Sequence, residues 1–169
     1  MRRVLIAGLG VALSGCVVVD ASNSGNGRPV AIESETIRYE TAPCFGTCPV
    51  YAVTIAPDGK GTFEGKRFTA VTGVKEFRAT PAAYRTFAAK LAPYRPKEAE
   101  TVLQPGQPGC ENAPTDMPSA DIVWSELSGG RQHLNVYYGC GSQEMRAGLR
   151  SAPEALPIAA FIGDPRQPR

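Results

Sequence analysis

Between residues 35 and 138 the chain alternates apolar and polar positions in short runs. Glu35 to Thr41 sets Glu35, Ile37 and Tyr39 against Thr36, Arg38 and Glu40, and Val50 to Ala56 places Tyr51, Val53 and Ile55 on one side. A period of two marks a strand with one buried face. Pro57-Asp58-Gly59 then supplies a turn, since Pro fixes φ, Asp bonds back to the backbone and Gly accepts positive φ. A three-residue loop ending at Gly59 puts Val53 opposite Phe63, Tyr51 opposite Gly65 and Ile55 opposite Gly61, with Thr54 against Thr62 and Ala52 against Glu64 on the other face. A two-residue loop would set Val53 against Glu64, so the apolar pattern selects the longer one. Another strand is predicted over Val74 to Arg78. A second hairpin is predicted from Asp121 to Leu127, the turn Ser128-Gly129-Gly130, and Arg131 to Tyr138. Pairing mirrored about Gly129 joins Trp124 to Leu134 and Ile122 to Val136 inside, and Ser125 to His133, Val123 to Asn135 and Asp121 to Tyr137 outside.

The period changes at Thr80-Pro81, where Thr caps a helix and Pro takes its first position. Tyr84, Phe87, Ala88 and Leu91 follow on one stripe, and Pro93 ends it. Ala92 to Pro118, rich in Pro, Gly and charge, is expected to be an irregular loop tied down by Cys110; one or two short helices are expected within Ser142 to Ile162. The predicted fold class is α+β, an antiparallel sheet of five to six strands with helices mainly on one face. Composition agrees: 18 glycines and 15 prolines in 169 residues exclude a long helical bundle. A 43% apolar share excludes wholesale disorder.

The first twenty residues follow a different logic. Met1-Arg2-Arg3 is basic, Val4 to Leu13 is apolar, and Leu13-Ser14-Gly15-Cys16 ends the run. Basic then apolar is the order of an export signal, and the four-residue ending resembles the lipobox of bacterial lipoproteins. That resemblance implies cleavage before Cys16, a thioether-linked diacylglycerol on its sulfur and acylation of its freed amine. Val4 to Val19 falls short of the roughly 20 residues that span a bilayer. Val17, where Asp would favour the inner membrane, implies an outer-membrane lipoprotein facing the periplasm. The expected organisation is a signal peptide over 1–15, a flexible tether over 16–30 and one domain over 31–169. Asp20 to Arg28, DASNSGNGR, has the composition of a spacer. The formal charge of +2 rests on Arg2 and Arg3, so the mature chain is formally neutral and nothing points to a nucleic-acid partner.

Four further cysteines, Cys44, Cys48, Cys110 and Cys140, are an even set in an exported chain, which implies two disulfides in one of three pairings. The preferred pairing is Cys44–Cys48 with Cys110–Cys140. Chain entropy gives about 3.5 kcal/mol for the long loop and about 2 kcal/mol for the short one. The short bridge would chiefly fix a turn around Gly46. Pro43 to Tyr51, PCFGTCPVY, followed by Asp58-Gly59 and Phe63-Glu64-Gly65, resembles an uncharacterised domain family of bacterial exported proteins and lipoproteins marked by C-F-G-x-C-P-x-Y. Relatives carrying only the first cysteine pair imply that Cys44 bonds Cys48, leaving Cys110 to Cys140. The resemblance brings no reaction, substrate or cofactor.

Sharper chemistry has few candidates. The C-x3-C-P spacing with the sole histidine, His133, is similar to that of periplasmic copper-delivery proteins of thioredoxin-like fold. Those proteins set the second cysteine at a helix start, which lowers a thiol pKa; here Val50 to Ile55 reads as a strand. Ser125 and His133, neighbours in the predicted register, lack a G-x-S-x-G and an oxyanion site. Asp116 and Asp121 form an acid–base pair only if the fold brings them together. The expectation is a non-enzymatic, lipid-anchored envelope module without metal or cofactor. Its binding face would be the uncovered sheet face bearing Asp121, Ser125, His133, Asn135 and Tyr137, suited to an envelope protein or a polysaccharide. The alternative is a copper or thiol-redox protein using Cys44, Cys48 and His133.

Overall fold

A computed structural model describes residues 35–164; the leader, Cys16 and the 16–30 tether lie outside the described residues. Seven strands form one open sheet: β1 (Glu35–Thr41), β2 (Val50–Ile55), β3 (Lys60–Arg67), β4 (Gly73–Arg78), β5 (Glu100–Leu103), β6 (Ser119–Glu126) and β7 (Arg131–Tyr137). Their spatial order is β4-β3-β2-β1-β6-β7-β5. Every pairing is antiparallel except β5 against β7, which is parallel. The helices are α1 (Pro81–Leu91), α2 (Gln143–Ser151) and α3 (Ala159–Ile162), with 3-10 turns at Ala92–Tyr94 and Ala152–Ala155.

The seventh strand corrects the expected five to six. Glu100 to Leu103 lies inside the segment expected to be irregular and pairs Glu100 with His133 and Val102 with Asn135. A four-residue edge strand in parallel pairing carries almost no local signal, because its partner lies some thirty residues away and no turn announces it.

The first hairpin has the predicted register, with Val53 opposite Phe63, Thr54 opposite Thr62 and Ala52 opposite Glu64. The second is shifted by two residues. Ser125 lies opposite Arg131, Val123 opposite His133, Ile122 opposite Leu134 and Asp121 opposite Asn135. The reason is the turn. Gly59 has φ 81° and Gly129 has φ 92°, so both loops end on a left-handed third residue. In each, that glycine N–H donates to the residue three back, Ala56 O at 2.9 Å and Glu126 O at 3.0 Å. The loop therefore closes on the first glycine of Gly129-Gly130, as Leu127-Ser128-Gly129. A shift of two preserves the faces and changes the partners.

The inward face of the sheet carries Ile37, Tyr39, Tyr51, Val53, Ile55, Phe63, Ile122, Trp124, Leu134 and Val136, all buried. Thr80 caps α1 by accepting from the Ala83 N–H at 3.1 Å. The helix then lays Tyr84, Phe87, Ala88 and Leu91 on this face, where they join one core with Leu149, Ala152, Leu156 and Ile158. Phe87→Ala would cost about 3–5 kcal/mol, the usual result of emptying a packed aromatic site. No described helix is long and apolar enough to cross a membrane.

Strand direction sorts the connections onto two edges. The edge where β1 starts holds the 57–59 and 127–129 turns; we call it the base. The opposite edge, the crown, holds the 42–49, 68–72 and 104–118 connections and the segment after β7.

Candidate functional site

The four remaining cysteines are joined as two disulfides, Cys44–Cys48 with Cα atoms 5.8 Å apart and Cys110–Cys140 with Cα atoms 5.1 Å apart. Both lie at the crown. The short bridge closes the link from β1 to β2, where the Phe45 N–H donates to Asp116 O at 3.3 Å. The long bridge ties the 104–118 connection to the chain just past β7. All four sulfurs are consumed, so the thiolates that copper or redox chemistry needs are absent in this state.

Polar side chains organise on the sheet face opposite the core. One row runs from Arg38 on β1 through Val123 on β6 and His133 on β7 to Glu100 on β5. The next holds Glu40, Asp121, Asn135 and Val102, and Ser119 faces Tyr137 at the crown. Asp121, His133, Asn135 and Tyr137 therefore come together as expected for one face. Ser125 shares this face but sits further towards the base, opposite Arg131 rather than His133. That separation removes the cross-strand Ser125–His133 pair on which a hydrolase reading depends. Asp116 is held by Thr115, whose hydroxyl donates to Asp116 Oδ2 at 3.0 Å, and its backbone lies at φ 65° in the crown loop.

His133 is bound on both sides. Its Nδ1 lies 2.6 Å from Glu100 Oε1 and its Nε2 lies 2.8 Å from Asp121 Oδ2. Two carboxylates on one ring favour the imidazolium. The hydrogen bond to Asp121 raises the His133 pKa above its ordinary value, burial opposes this, and Glu100 adds to the rise. With both ring nitrogens engaged by carboxylate oxygens, neither is left over for a metal. Among the described residues no group of three or more His, Cys, Asp or Glu side chains is placed to hold a metal ion. The cluster extends through Asn135, whose Nδ2 donates to Asp121 Oδ2 at 2.8 Å and whose Oδ1 accepts from Gln104. Tyr137 is turned to the crown, donating to Pro114 O at 2.9 Å and accepting from the Met117 N–H at 2.9 Å.

A second polar group flanks it. Glu40 pairs with Arg38 through one oxygen and with Lys66 through the other. Burial pushes the Glu40 pKa up, but the hydrogen bonds from Lys66 and Arg38 outweigh it and hold the carboxyl below its usual range. Between Glu40 and Asp121 lies a groove of about 370 Å³, bounded also by Pro43, Val50, Ser119 and Asn135. A wider hollow of about 560 Å³ lies over β1 to β4, lined by Thr36, Thr54, Thr62, Lys60 and Arg78.

Sequence reasoning missed Glu100, Gln104 and the Glu40 group. Glu40 was on the polar side of a predicted strand, but its salt links depend on Lys66 from β3, a neighbour two strands away. Glu100 and Gln104 could be found only by anticipating the parallel strand.

The sequence model of the family described as "Domain of unknown function (DUF6438)" matches residues 35–157. No curated protein matches the chain. The matched span runs from the first residue of β1 past the second 3-10 turn, and so takes in the whole sheet, both disulfides and the His133 cluster. The chain belongs to this family.

Proposed function

We propose that this member of the DUF6438 family is a lipid-anchored protein of the bacterial cell envelope, held by acyl chains on Cys16, whose domain is a non-catalytic binding module. The Leu13-Ser14-Gly15-Cys16 ending supports the anchor, and Val17 supports the outer membrane, with the domain facing the periplasm. Each buried methylene contributes about 0.8 kcal/mol, so two or three acyl chains hold a protein on a membrane in a practically permanent way.

One observation carries the binding reading. A polar constellation of Asp121, His133, Asn135 and Glu100 lies on the sheet face away from the core, and its groups hold one another. A nucleophile or general base needs a free lone pair aimed at a substrate. A histidine saturated by two carboxylates instead gives a rigid polar platform, which is what recognition requires.

Partition of the chain between membrane and soluble fractions tests the anchor. The natural chain is expected in the detergent-extracted membrane fraction with a diacylglyceryl-modified Cys16 as its first residue by mass spectrometry. Cys16→Ala is expected in the soluble extract. Equal partition of the two chains would overturn the reading.

A further inference from the structure

We infer that the free edge of β4 pairs with the same edge of a second copy of this chain, antiparallel, about a two-fold axis at Phe77. This is independent of what the polar face binds. β4 ends the strand order, and no described strand lies beyond it. Alternation along the ladder determines which backbone groups are left over. The Ala56 N–H donates to Lys60 O at 2.9 Å, so Lys60, Thr62 and Glu64 turn their backbone groups to β2, and Gly61, Phe63 and Gly65 turn theirs to β4. The residues that receive them are Phe77, Lys75 and Gly73. Val74, Glu76 and Arg78, all exposed, therefore present N–H and C=O groups away from the sheet. The Ala79 N–H donates to Gly59 O at 2.8 Å, and Thr80 is extended at φ −75° and ψ 154°, so the open edge continues to the start of α1. The edge on the other side of the sheet, β5, is only 4 residues long.

Charge selects the partner and the register. Across β3, Arg78 faces Lys60 and Glu76 faces Thr62, so neither has an opposite charge directly across from it in its own chain. Antiparallel pairing of two such edges brings outward residues opposite outward residues, which leaves few registers. Glu76 on Glu76, or Arg78 on Arg78, sets like charges directly opposite, which is destabilising. Val74 on Glu76 centres the pair on two Lys75 side chains. Val74 on Val74 overlaps only Gly73 to Lys75, and Arg78 on Thr80 overlaps only Arg78 to Thr80. With the axis at Phe77, each Glu76 lies opposite Arg78 of the other copy, and the whole stretch from Val74 to Thr80 is paired. Phe77 lies on the core side, where a Cβ on Gly61 would meet its ring, and it is only half-buried there. A second Phe77 would cover it, in the non-hydrogen-bonded position where side chains approach most closely. Charges on an edge ordinarily block pairing; here their order blocks the wrong registers and matches one.

The test is sedimentation equilibrium of the full mature chain carrying Cys16→Ala, from micromolar to millimolar, with amide exchange read by nuclear magnetic resonance. A monomer–dimer equilibrium is expected, with the Glu76 and Arg78 amides gaining protection as the dimer fills. Glu76→Arg and Arg78→Glu each set two like-charge pairs across the axis and should weaken the dimer about tenfold. The variant carrying both changes restores both pairs in reverse and should recover the dimer, which separates a matched register from a general effect of surface charge. A monomer at every concentration, a dimer indifferent to the single reversals, a double variant that stays dissociated, or a dimer without protection at Glu76 and Arg78 would overturn the proposal.

Discussion

The base and the crown of the sheet are held together by different physics. At the base, two three-residue turns close the hairpins from local sequence, and an ion network spans the first strand. The Glu35 side chain, 2% exposed, lies 2.8 Å from Arg95, which also meets Glu126 at 3.5 Å and sits over the Trp124 ring. Burial raises the Glu35 pKa and Arg95 opposes it. At the crown, long connections replace tight turns, and Phe68 and Asp116 have φ 56° and 65°, unusual for residues with side chains. Two covalent bridges close these connections, and the base turns need none. Connections this long are not closed by turn chemistry alone, and a disulfide supplies the missing order.

The contrast can be broken first at the base. Arg95→Met leaves Glu35 buried without its cation and is expected to cost about 4 kcal/mol in denaturant unfolding. An unchanged midpoint would show that the network contributes nothing. Cys110→Ser with Cys140→Ser comes next, at about 3.5 kcal/mol, with faster amide exchange in residues 104–118. Cys44→Ser with Cys48→Ser should cost less, about 2 kcal/mol, because its loop is short. Reversal of those two magnitudes would contradict the entropic account.

His133 adds a smaller, pH-dependent effect. Its pKa is raised by folding, so its contribution is complete below the unfolded value of about 6.5 and is lost as pH rises through the folded value. Thermal midpoints should therefore fall with rising pH in that window, and His133→Gln should flatten the fall. An unaltered slope in that variant would assign the dependence to other groups. The smallest effect is that of Phe45→Ala, within about 0.5 kcal/mol of the natural chain, since the ring is exposed.

Local chemistry made much of this architecture readable in advance. Pro57-Asp58-Gly59 determines the first hairpin's register, and Thr80-Pro81 with the stripe Tyr84, Phe87, Leu91 determines α1. The second hairpin was readable in its faces but not its register, because Gly129 and Gly130 both offer positive φ and the apolar pattern tolerates a shift of two. For the site, the pattern placed Asp121, Ser125, His133, Asn135 and Tyr137 on one face. It could not show that His133 is clamped between Asp121 and Glu100, since Glu100 arrives on a parallel edge strand from a stretch dense in turn formers. The disulfide partners became legible through the resemblance carried by Cys44 to Tyr51.

Whether Cys44, Cys48, Cys110 and Cys140 are scaffold is decided most directly by thiol and copper titration of the natively purified chain. With Cys16 lipidated or replaced by Ala, the account predicts no thiol reactive towards Ellman reagent without reductant, and no uptake of Cu(I). A Cys44–Cys48 bridge that opens at a mild potential, or stoichiometric copper binding lost in Cys48→Ser, would contradict it.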